Sequence, residues 1–306
     1  MDTPFSEGFV NAFAVLGETA TLVDTGNPGR RSFNQLNSQL KEHGLTFKDF
    51  DSIVLTHMHT DHSGGVMYIQ EEADLPVYVH ELAEPVVTGG VNEFNRINDF
   101  FKNFLEQCGA NPSEHQHKRR YKDEIWKNVH YLKDGDNVHI GGTSYEVTYV
   151  PGHSQTDLLF WNSEEGIALV GDHIIPELSV NAFIEPPPPW QMDRPKTLLQ
   201  YRESLNKVKS LPLKTCFSGH GKPFDQHGEL IDKRLTEHEK RCRQIHEILS
   251  WGSKNIYEIC LVMYPQLRDK TMFLGLSQIQ GHLDLMEVRG EVKKEEIKSA
   301  IIYKLV

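Results

Sequence analysis

The sequence predicts an α+β protein in which a large mixed segment, residues 1–228, precedes a small and mostly helical domain, residues 229–306. Three observations carry this prediction. Strand-like and helix-like patterns alternate through the first segment, whereas beyond Gly228 the apolar residues follow helical spacing almost to the end. The charge also changes: the 306-residue chain has a formal net charge of -11, but residues 230–306 carry 13 basic against 11 acidic side chains. The preceding 229 residues therefore have a net charge of -13.

The large segment begins as strand, strand, helix, strand. Alternating apolar residues predict paired strands at 9–16 and 19–26, and apolar side chains three and four residues apart predict a helix over 32–43. Short apolar runs predict the remaining strands, which are 52–56, 76–80, 129–132, 137–140, 145–150, 157–161, 166–171 and 215–219.

Residues 81–127 interrupt this alternation with a longer helical stretch, which we interpret as an insertion. Its aromatic residues fall at helical spacing, which is typical of a packed face rather than of a substrate wall. A basic patch, His117–Arg120, lies within it. We expect a solvated loop there, and the alternative is contact with an anionic substrate.

Three helices are expected after residue 228, over about 230–250, 256–263 and 276–288, and two short strands follow them. Three helices and a hairpin are the order of a winged helix. Because this segment has a net charge of only +2, domain packing or self-association as a homodimer is expected rather than DNA reading.

Composition excludes several classes of protein. With 38% apolar and 25% charged residues, the chain is not disordered. It has neither a run of apolar residues long enough for a membrane helix nor the pattern of a signal peptide at its start. The four cysteines are widely spaced, which favours free thiols over a disulfide framework or a zinc–thiolate site. We therefore expect a cytoplasmic protein without a membrane partner.

Residues 57–62, His-Met-His-Thr-Asp-His, carry the clearest chemical signal. They place four ionisable side chains, His57, His59, Asp61 and His62, in one loop at the end of a buried strand. Such groups are costly to crowd together unless a cation neutralises them. Imidazole and carboxylate ligands without thiolate suit zinc, and iron or manganese are the alternatives.

Three further donors follow predicted strands: His153, Asp172 and His220. Each lies close to a glycine, where the backbone can fold near an ion. Five histidines and two aspartates are enough for two ions that share one carboxylate. Two such cations, about 3.5 to 4 Å apart, would lower the pKa of a bridging water and polarise a carbonyl or phosphoryl oxygen. The expected reaction is hydrolysis by a metal-bridging hydroxide.

These motifs, in this order and with Asp24-Thr25-Gly26 upstream, resemble the metallo-β-lactamase superfamily over roughly residues 8–228. The resemblance implies an αββα sandwich with the metals at one edge, between two sheets. It also implies the ligand sets: His57, His59 and His153 for the first ion, Asp61, His62 and His220 for the second, and Asp172 as the bridge. The helical C-terminal domain resembles that of the lactamase-β-like protein 2 group, which spans thioesterase-like and endoribonuclease activities.

Two polar neighbours of the ligands are expected to act indirectly. Asp24 would orient the loop of His57 through hydrogen bonds rather than touch a metal. His173 follows the bridging Asp172 on a strand and would point away from it, so a structural or outer-shell role is expected.

We therefore predict a metal-dependent hydrolase with two divalent ions, in which Asp61 or a metal-bound water helps to protonate the leaving group. A small thioester or lactone is the first choice of substrate, since an acidic catalytic domain repels polyanionic RNA. Cleavage of single-stranded RNA is the main alternative, with a non-catalytic nucleic-acid-binding regulator as a further one. An oxygen-activating iron protein is the remaining alternative.

Overall fold

The computed structural model describes residues 1–2, 8–116, 120–123 and 125–306. By its internal contacts the chain divides into two compact units, each assembled from three segments. The segments are Met1–Thr88, Glu124–Val180 and Ser204–Ile231 for the first unit, and Gly89–Asp123, Asn181–Glu203 and Asp232–Val306 for the second. The units thus differ from the predicted continuous segments, because most of the predicted insertion groups with the C-terminal helices. A separate domain at 229–306 stays a prediction.

The first sheet, in the first unit, has the strand order β1-β2-β3-β4-β5. Its β1 and β2 are antiparallel and the remaining neighbours are parallel. The strands are Phe13–Leu16 (β1), Ala20–Val23 (β2), Ser52–Val54 (β3), Val77–His80 (β4) and Val129–Leu132 (β5).

The second sheet, also in the first unit, has the order β10-β9-β8-β7-β6. Here β6 to β9 are antiparallel neighbours, whereas β9 and β10 run parallel. The strands are Asn137–Ile140 (β6), Thr143–Tyr149 (β7), Leu158–Asn162 (β8), Ile167–Gly171 (β9) and Thr215–Ser218 (β10).

The α-helices of the described residues are Arg30–Glu42 (α1), Thr60–Ser63 (α2), Val66–Gln70 (α3), Glu84–Thr88 (α4), Gly90–Gln107 (α5), Pro112–His115 (α6), Thr197–Lys209 (α7), His227–Ser250 (α8), Ile256–Met263 (α9) and Met272–Val288 (α10). Helices α1, α8, α9 and α10 correspond to predicted helices, and α4 to α6 lie in the predicted helical stretch 81–127.

Two hydrophobic cores explain why the first sheet is central to its unit. Successive residues of a strand face opposite sides. Leu22 and Ile53 therefore pack with α1 and α3 in one buried cluster. Their neighbours Val23 and Val54 join Phe160 and other residues of the second sheet in the other cluster. The predicted mixed fold with two sheets and helices is confirmed.

The second unit contains a three-stranded antiparallel sheet of order β11-β13-β12. Its strands are Lys254–Asn255 (β11), Val292–Ile297 (β12) and Ala300–Leu305 (β13). The two-residue β11 was not predicted, because so short a strand has no periodicity to recognise.

Helix α10 is enclosed within the second unit. None of its residues from Met272 to Glu287 is exposed. The guanidinium of Arg194 donates two hydrogen bonds of 2.7 Å to the buried carboxylate of Asp284 on this helix. The backbone N–H of Ile184 donates to Ser277 Oγ at 2.7 Å. The third C-terminal helix is therefore a core helix.

In the described residues, no helix combines the length and the apolar character needed to cross a membrane. The four cysteines are all buried as free thiols. Of the predicted basic patch, His117, Lys118 and Arg119 lie outside the described residues, and Arg120 is exposed.

Candidate metal centre

The motif at residues 57–62 leaves the carboxyl end of β3. His57 follows this strand by three residues and is buried. His59 is the residue before the short helix α2, and Asp61 and His62 lie in its single turn. Placing two of the four donors on one helical turn gives them neighbouring positions.

The other three donors lie at the matching edge of the second sheet. Asp172 directly follows β9, and His220 follows β10 by two residues. Because β9 and β10 are parallel, their carboxyl ends meet at the same edge. His153 lies in the middle of the connection between β7 and β8. Since β8 is antiparallel to β9, the start of β8 lies at this edge too.

The structure brings all seven predicted site residues together. Their donor atoms form three groups within which every pair is at most 4.8 Å apart: His57, His59 and His153; His57, His62 and Asp172; and Asp61, His62 and His220. The first and third groups contain the same residues as the two ligand sets implied by the family resemblance. Their roles as ligands stay a prediction.

Asp172 lies between these two groups. Its Oδ2 atom is 3.6 Å from Nε2 of His153 and 3.3 Å from Nε2 of His220. Its Oδ1 atom is 3.4 Å from Nε2 of His62. One carboxylate thus reaches donors of both predicted ions.

Three of the imidazole rings turn the same nitrogen towards the centre. In each of them Nδ1 donates away from it: His57 to Thr56 Oγ1 at 3.1 Å, His62 to Asp24 Oδ2 at 2.8 Å, and His220 to the Phe9 carbonyl at 2.8 Å. Their Nε2 atoms are buried and make no hydrogen bond of good geometry. Buried ring nitrogens that face one point without a hydrogen-bond partner are what a cation satisfies.

Asp24 is the support of this arrangement, as predicted. Its carboxylate accepts the backbone N–H and the hydroxyl of Thr56, each at 2.8 Å, in addition to Nδ1 of His62. Asp24 itself has a left-handed backbone conformation, with φ of 60°. This turn at the end of β2 aims the carboxylate at both ends of the ligand loop.

His59 and His153 are neighbours within the first donor group, with His59 Nδ1 and His153 Nε2 2.9 Å apart. A hydrogen bond from the backbone N–H of Met58 to Thr156 Oγ1, 3.0 Å long, ties together the loops that carry them. Ser154 Oγ lies 3.0 Å from the same hydroxyl. Both hydroxyl groups therefore organise the loops.

Burial and the charges of neighbouring donors shift the pKa values of several residues in the centre. Burial lowers the pKa of His220, but the adjacent carboxylates of Asp172 and Asp61 outweigh it and raise that pKa to about 10. Burial would raise the pKa of Asp172, but the neighbouring His62 and His220 hold it well below its usual range. Burial and the nearby His62 keep the pKa of His57 well below 6.5. The site thus combines ionised carboxylates with a neutral imidazole.

The loop of His220 approaches the centre too closely for a side chain at residue 219. A Cβ atom on Gly219 would lie 2.3 Å from Asp172 Oδ1 and 2.5 Å from His62 Cε1. The absence of a side chain here is therefore a condition for the donors to converge.

His173 is buried beside the centre, and burial lowers its pKa to about 3, with a smaller contribution from His153. It belongs to none of the three donor groups of the described residues. Sequence reasoning missed two residues, Phe9 and Asn11, which contact the His220 loop from the start of the chain. The motifs contain no signal for them, because a backbone carbonyl and a single asparagine before the first strand look ordinary in sequence.

The donor set fits divalent transition metals. Five imidazoles and two carboxylates without thiolate match the preferences of zinc, iron and manganese. The inward Nε2 atoms and the shared carboxylate supply positions for ions.

Comparison with known families supports this interpretation. Residues 6–220 match the model of the metallo-beta-lactamase superfamily. The probable metallo-hydrolase YqjP of Bacillus subtilis is 27% identical over 95% of this chain and 91% of its own. The beta-lactamase-like protein 2 homolog of Caenorhabditis elegans is 26% identical over 80% of this chain and 67% of its own. The atrochrysone carboxyl ACP thioesterase of Aspergillus fumigatus is 23% identical over 75% and 56%.

Solved structures show the same fold. The metallo-beta-lactamase family protein TTHA1429 of Thermus thermophilus superposes with a TM-score of 0.81 at 23% identity, covering 100% of this chain and 97% of the other. The protein TTHA1623, solved in a di-iron-bound form, has a TM-score of 0.50 at 25% identity, covering 74% of this chain and 94% of the other.

Proposed function

The chain belongs to the metallo-β-lactamase superfamily of metal-dependent hydrolases, and we propose that it uses two divalent ions to hydrolyse a small thioester or lactone. The observation that carries the two-ion proposal is the position of Asp172, whose Oδ2 lies 3.6 Å from His153 Nε2 and 3.3 Å from His220 Nε2. A carboxylate that reaches both donor groups is what two neighbouring ions need.

The proposed assignment follows the donor groups. His57, His59 and His153 would hold the first ion, Asp61, His62 and His220 would hold the second, and Asp172 would contribute to both. Bound there, the ions would lower the pKa of a water molecule and polarise the acyl oxygen of the substrate.

The chain's own residues supply orientation and proton transfer. Asp24 and the Phe9 carbonyl fix the tautomers of His62 and His220, so that each ring presents Nε2 to the centre. Asp61 is buried, which raises its pKa, but the close His220 and His62 lower that pKa overall. Asp61 is therefore ionised at neutral pH. It accepts a proton from the attacking water and returns it to the leaving thiolate or alkoxide.

We propose zinc as the native metal on the basis of the histidine-rich donor set. Iron is the strongest competitor, since the related TTHA1623 was solved with two iron ions. Elemental analysis of protein purified without added metal tests this choice: zinc near two per chain supports it, and iron or manganese at that ratio contradicts it.

A small acyl substrate is favoured by charge and by relatives. The net charge of -13 on residues 1–229 opposes a polyanion, and a thioesterase is among the relatives. Binding of an RNA substrate would need a positively charged groove or an exposed helix that contacts nucleic acid. The enclosed helix α10 offers no exposed face for reading, and it carries no lysine or arginine.

A substrate panel tests the proposal. The metal-loaded protein is assayed with acyl-glutathione and acyl-coenzyme A thioesters, acyl lactones and a labelled single-stranded RNA. The matched pair Asp61→Ala and Asp51→Ala removes a buried site carboxylate and an exposed one. Thioester or lactone hydrolysis that Asp61→Ala abolishes and Asp51→Ala retains supports the proposal. RNA cleavage with the same dependence identifies an endoribonuclease instead.

For the C-terminal segment we propose a winged-helix-like domain that packs or self-associates. The support is the element order α8, β11, α9, α10, β12, β13 with the sheet β11-β13-β12. Light scattering coupled to gel filtration tests self-association, and a monomer at all concentrations contradicts it. We also propose a cytoplasmic location, in keeping with four buried free thiols.

A further inference from the structure

The His220 loop is held from one side by a short segment near the start of the chain, residues 9–11. Val10 forms an isolated antiparallel bridge with His220 itself. The backbone N–H of Asn11 donates to the Gly219 carbonyl at 2.7 Å. The Phe9 carbonyl accepts Nδ1–H of His220 at 2.8 Å. Residues 9, 10 and 11 therefore all contact the loop that carries one predicted ligand.

The side chain of Asn11 adds contacts that the backbone cannot make. Its Nδ2 donates to the Ser218 carbonyl at 3.0 Å and to the Gly221 carbonyl at 2.9 Å. These carbonyls precede and follow His220 in the chain. One amide group therefore uses both of its N–H bonds to fix the loop on the two sides of the ligand.

The tight placement of this loop gives such a clamp a chemical consequence. The backbone at Gly219 passes so near Asp172 and His62 that a Cβ atom would not fit there. His220 Nε2 lies 3.3 Å from Asp172 and 3.5 Å from Asp61. A small rotation of residues 218–221 would move this nitrogen out of the group that it shares with Asp61 and His62, but would leave the group of His57, His59 and His153 in place.

We infer that Asn11 is a positioning residue that sets the affinity of the Asp61–His62–His220 group for its ion by clamping the His220 loop. The inference rests on the proposed two-ion site. The amide of Asn11 suits this position, because both partners are carbonyl oxygens and the NH₂ group has one N–H for each.

The test uses the variant Asn11→Asp, which keeps the size of the side chain but replaces the double donor by an oxygen facing two carbonyls. Asn11→Ala removes the clamp without adding repulsion. Asn98→Asp is the control, because Asn98 Nδ2 also donates to a backbone carbonyl, that of Phe94 at 2.8 Å, but belongs to the second unit. Each full-length protein is stripped of metal and titrated with Zn²⁺ against a chromophoric chelator, and its melting is followed by circular dichroism.

The expected result is two zinc ions in the parent protein and a selective loss in both Asn11 variants. The dissociation constant of one ion rises by about 10- to 100-fold, as is typical when support of a ligand is removed. The other ion and the Asn98→Asp control stay unchanged. Two equally weakened ions, or two unweakened ions, in a folded variant overturn the inference and leave the proposed function standing. A parent protein that binds only one ion overturns the two-ion proposal and this inference with it, and that outcome is visible without any variant.

Discussion

Asp172 Oδ2 lies 3.3 Å from Nε2 of His220, and the same oxygen lies 3.6 Å from Nε2 of His153. The two histidines come from different connections of the second sheet, and a single carboxylate links them. We therefore expect loss of Asp172 to reduce the proposed activity more than loss of any single histidine ligand.

Substitution Asp172→Asn is expected to reduce kcat/KM by more than about 100-fold. This exceeds the loss of about 10- to 100-fold that is typical when a residue supporting a metal ligand is replaced. The amide keeps the volume but removes the negative charge that both ions would share. Steady-state hydrolysis of the substrate identified by the panel measures the loss. Activity within tenfold of the parent protein would show that Asp172 does not bridge.

Substitution Asp24→Asn is expected to weaken metal binding by about 10- to 100-fold without removing any ligand. Three donors point at the two carboxylate oxygens of Asp24, so the amide NH₂ of asparagine would face a donor. The lost acceptor also lowers the free energy of unfolding by about 1 to 3 kcal/mol. Chelator competition and urea unfolding measure the two effects.

The exposed carboxylate of Asp51 provides the control for Asp24. It accepts one backbone hydrogen bond, from Ala20 at 2.8 Å, outside the metal centre. Asp51→Asn is expected to leave zinc affinity unchanged. If both variants weaken zinc equally, the role assigned to Asp24 is wrong.

The pKa of His220 predicts proton release on metal binding. In the metal-free protein the carboxylates of Asp172 and Asp61 outweigh burial and raise this pKa to about 10, so the ring carries an extra proton at neutral pH. A metal ion must displace it, and apparent zinc affinity is expected to fall as pH is lowered from 8 to 6. Calorimetric titration in buffers of different ionisation enthalpy counts the protons. Zinc binding without proton release contradicts the assignment of His220.

A second pair of histidines predicts acid sensitivity of the second unit. His238 and His282 are buried with ring centroids 5.8 Å apart. Burial lowers their pKa values to about 3 and about 4, and His282 also lowers the pKa of His238. The charged groups around them, Arg202, Arg241 and Glu239, contribute less.

The sign of this effect follows from the direction of the shifts. Between pH 6.5 and about 4 the unfolded chain binds protons at these two residues and the folded chain does not, so stability falls as pH falls. The loss at pH 5 is about 2 kcal/mol for each histidine. Thermal unfolding of His238→Gln at pH 5 and pH 7 should show a smaller pH dependence than the parent protein. His246→Gln, an exposed change on the same helix, should keep the full dependence.

Sequence reasoning located the centre because its donors follow strands. His57, Asp172 and His220 each come after a short apolar run, and a strand end is a local feature that periodicity reveals. The role of Asp24 could be predicted for the same reason, since this residue ends the second predicted strand.

The contacts that support the ligands could not be predicted from the sequence, because they join residues far apart in the chain. The bond between His220 and the Phe9 carbonyl spans 211 residues, and no local pattern encodes it. The grouping of residues 181–203 with the C-terminal helices was unpredictable for the same reason. Arg194 in this segment pairs with Asp284, which lies 90 residues further along the chain.

The most direct test is a crystal structure of zinc-loaded protein with anomalous data collected on both sides of the zinc absorption edge. The account predicts two zinc peaks, one contacted by His57, His59 and His153, the other by Asp61, His62 and His220, with Asp172 touching both. A single peak, or zinc bound only elsewhere, would contradict it.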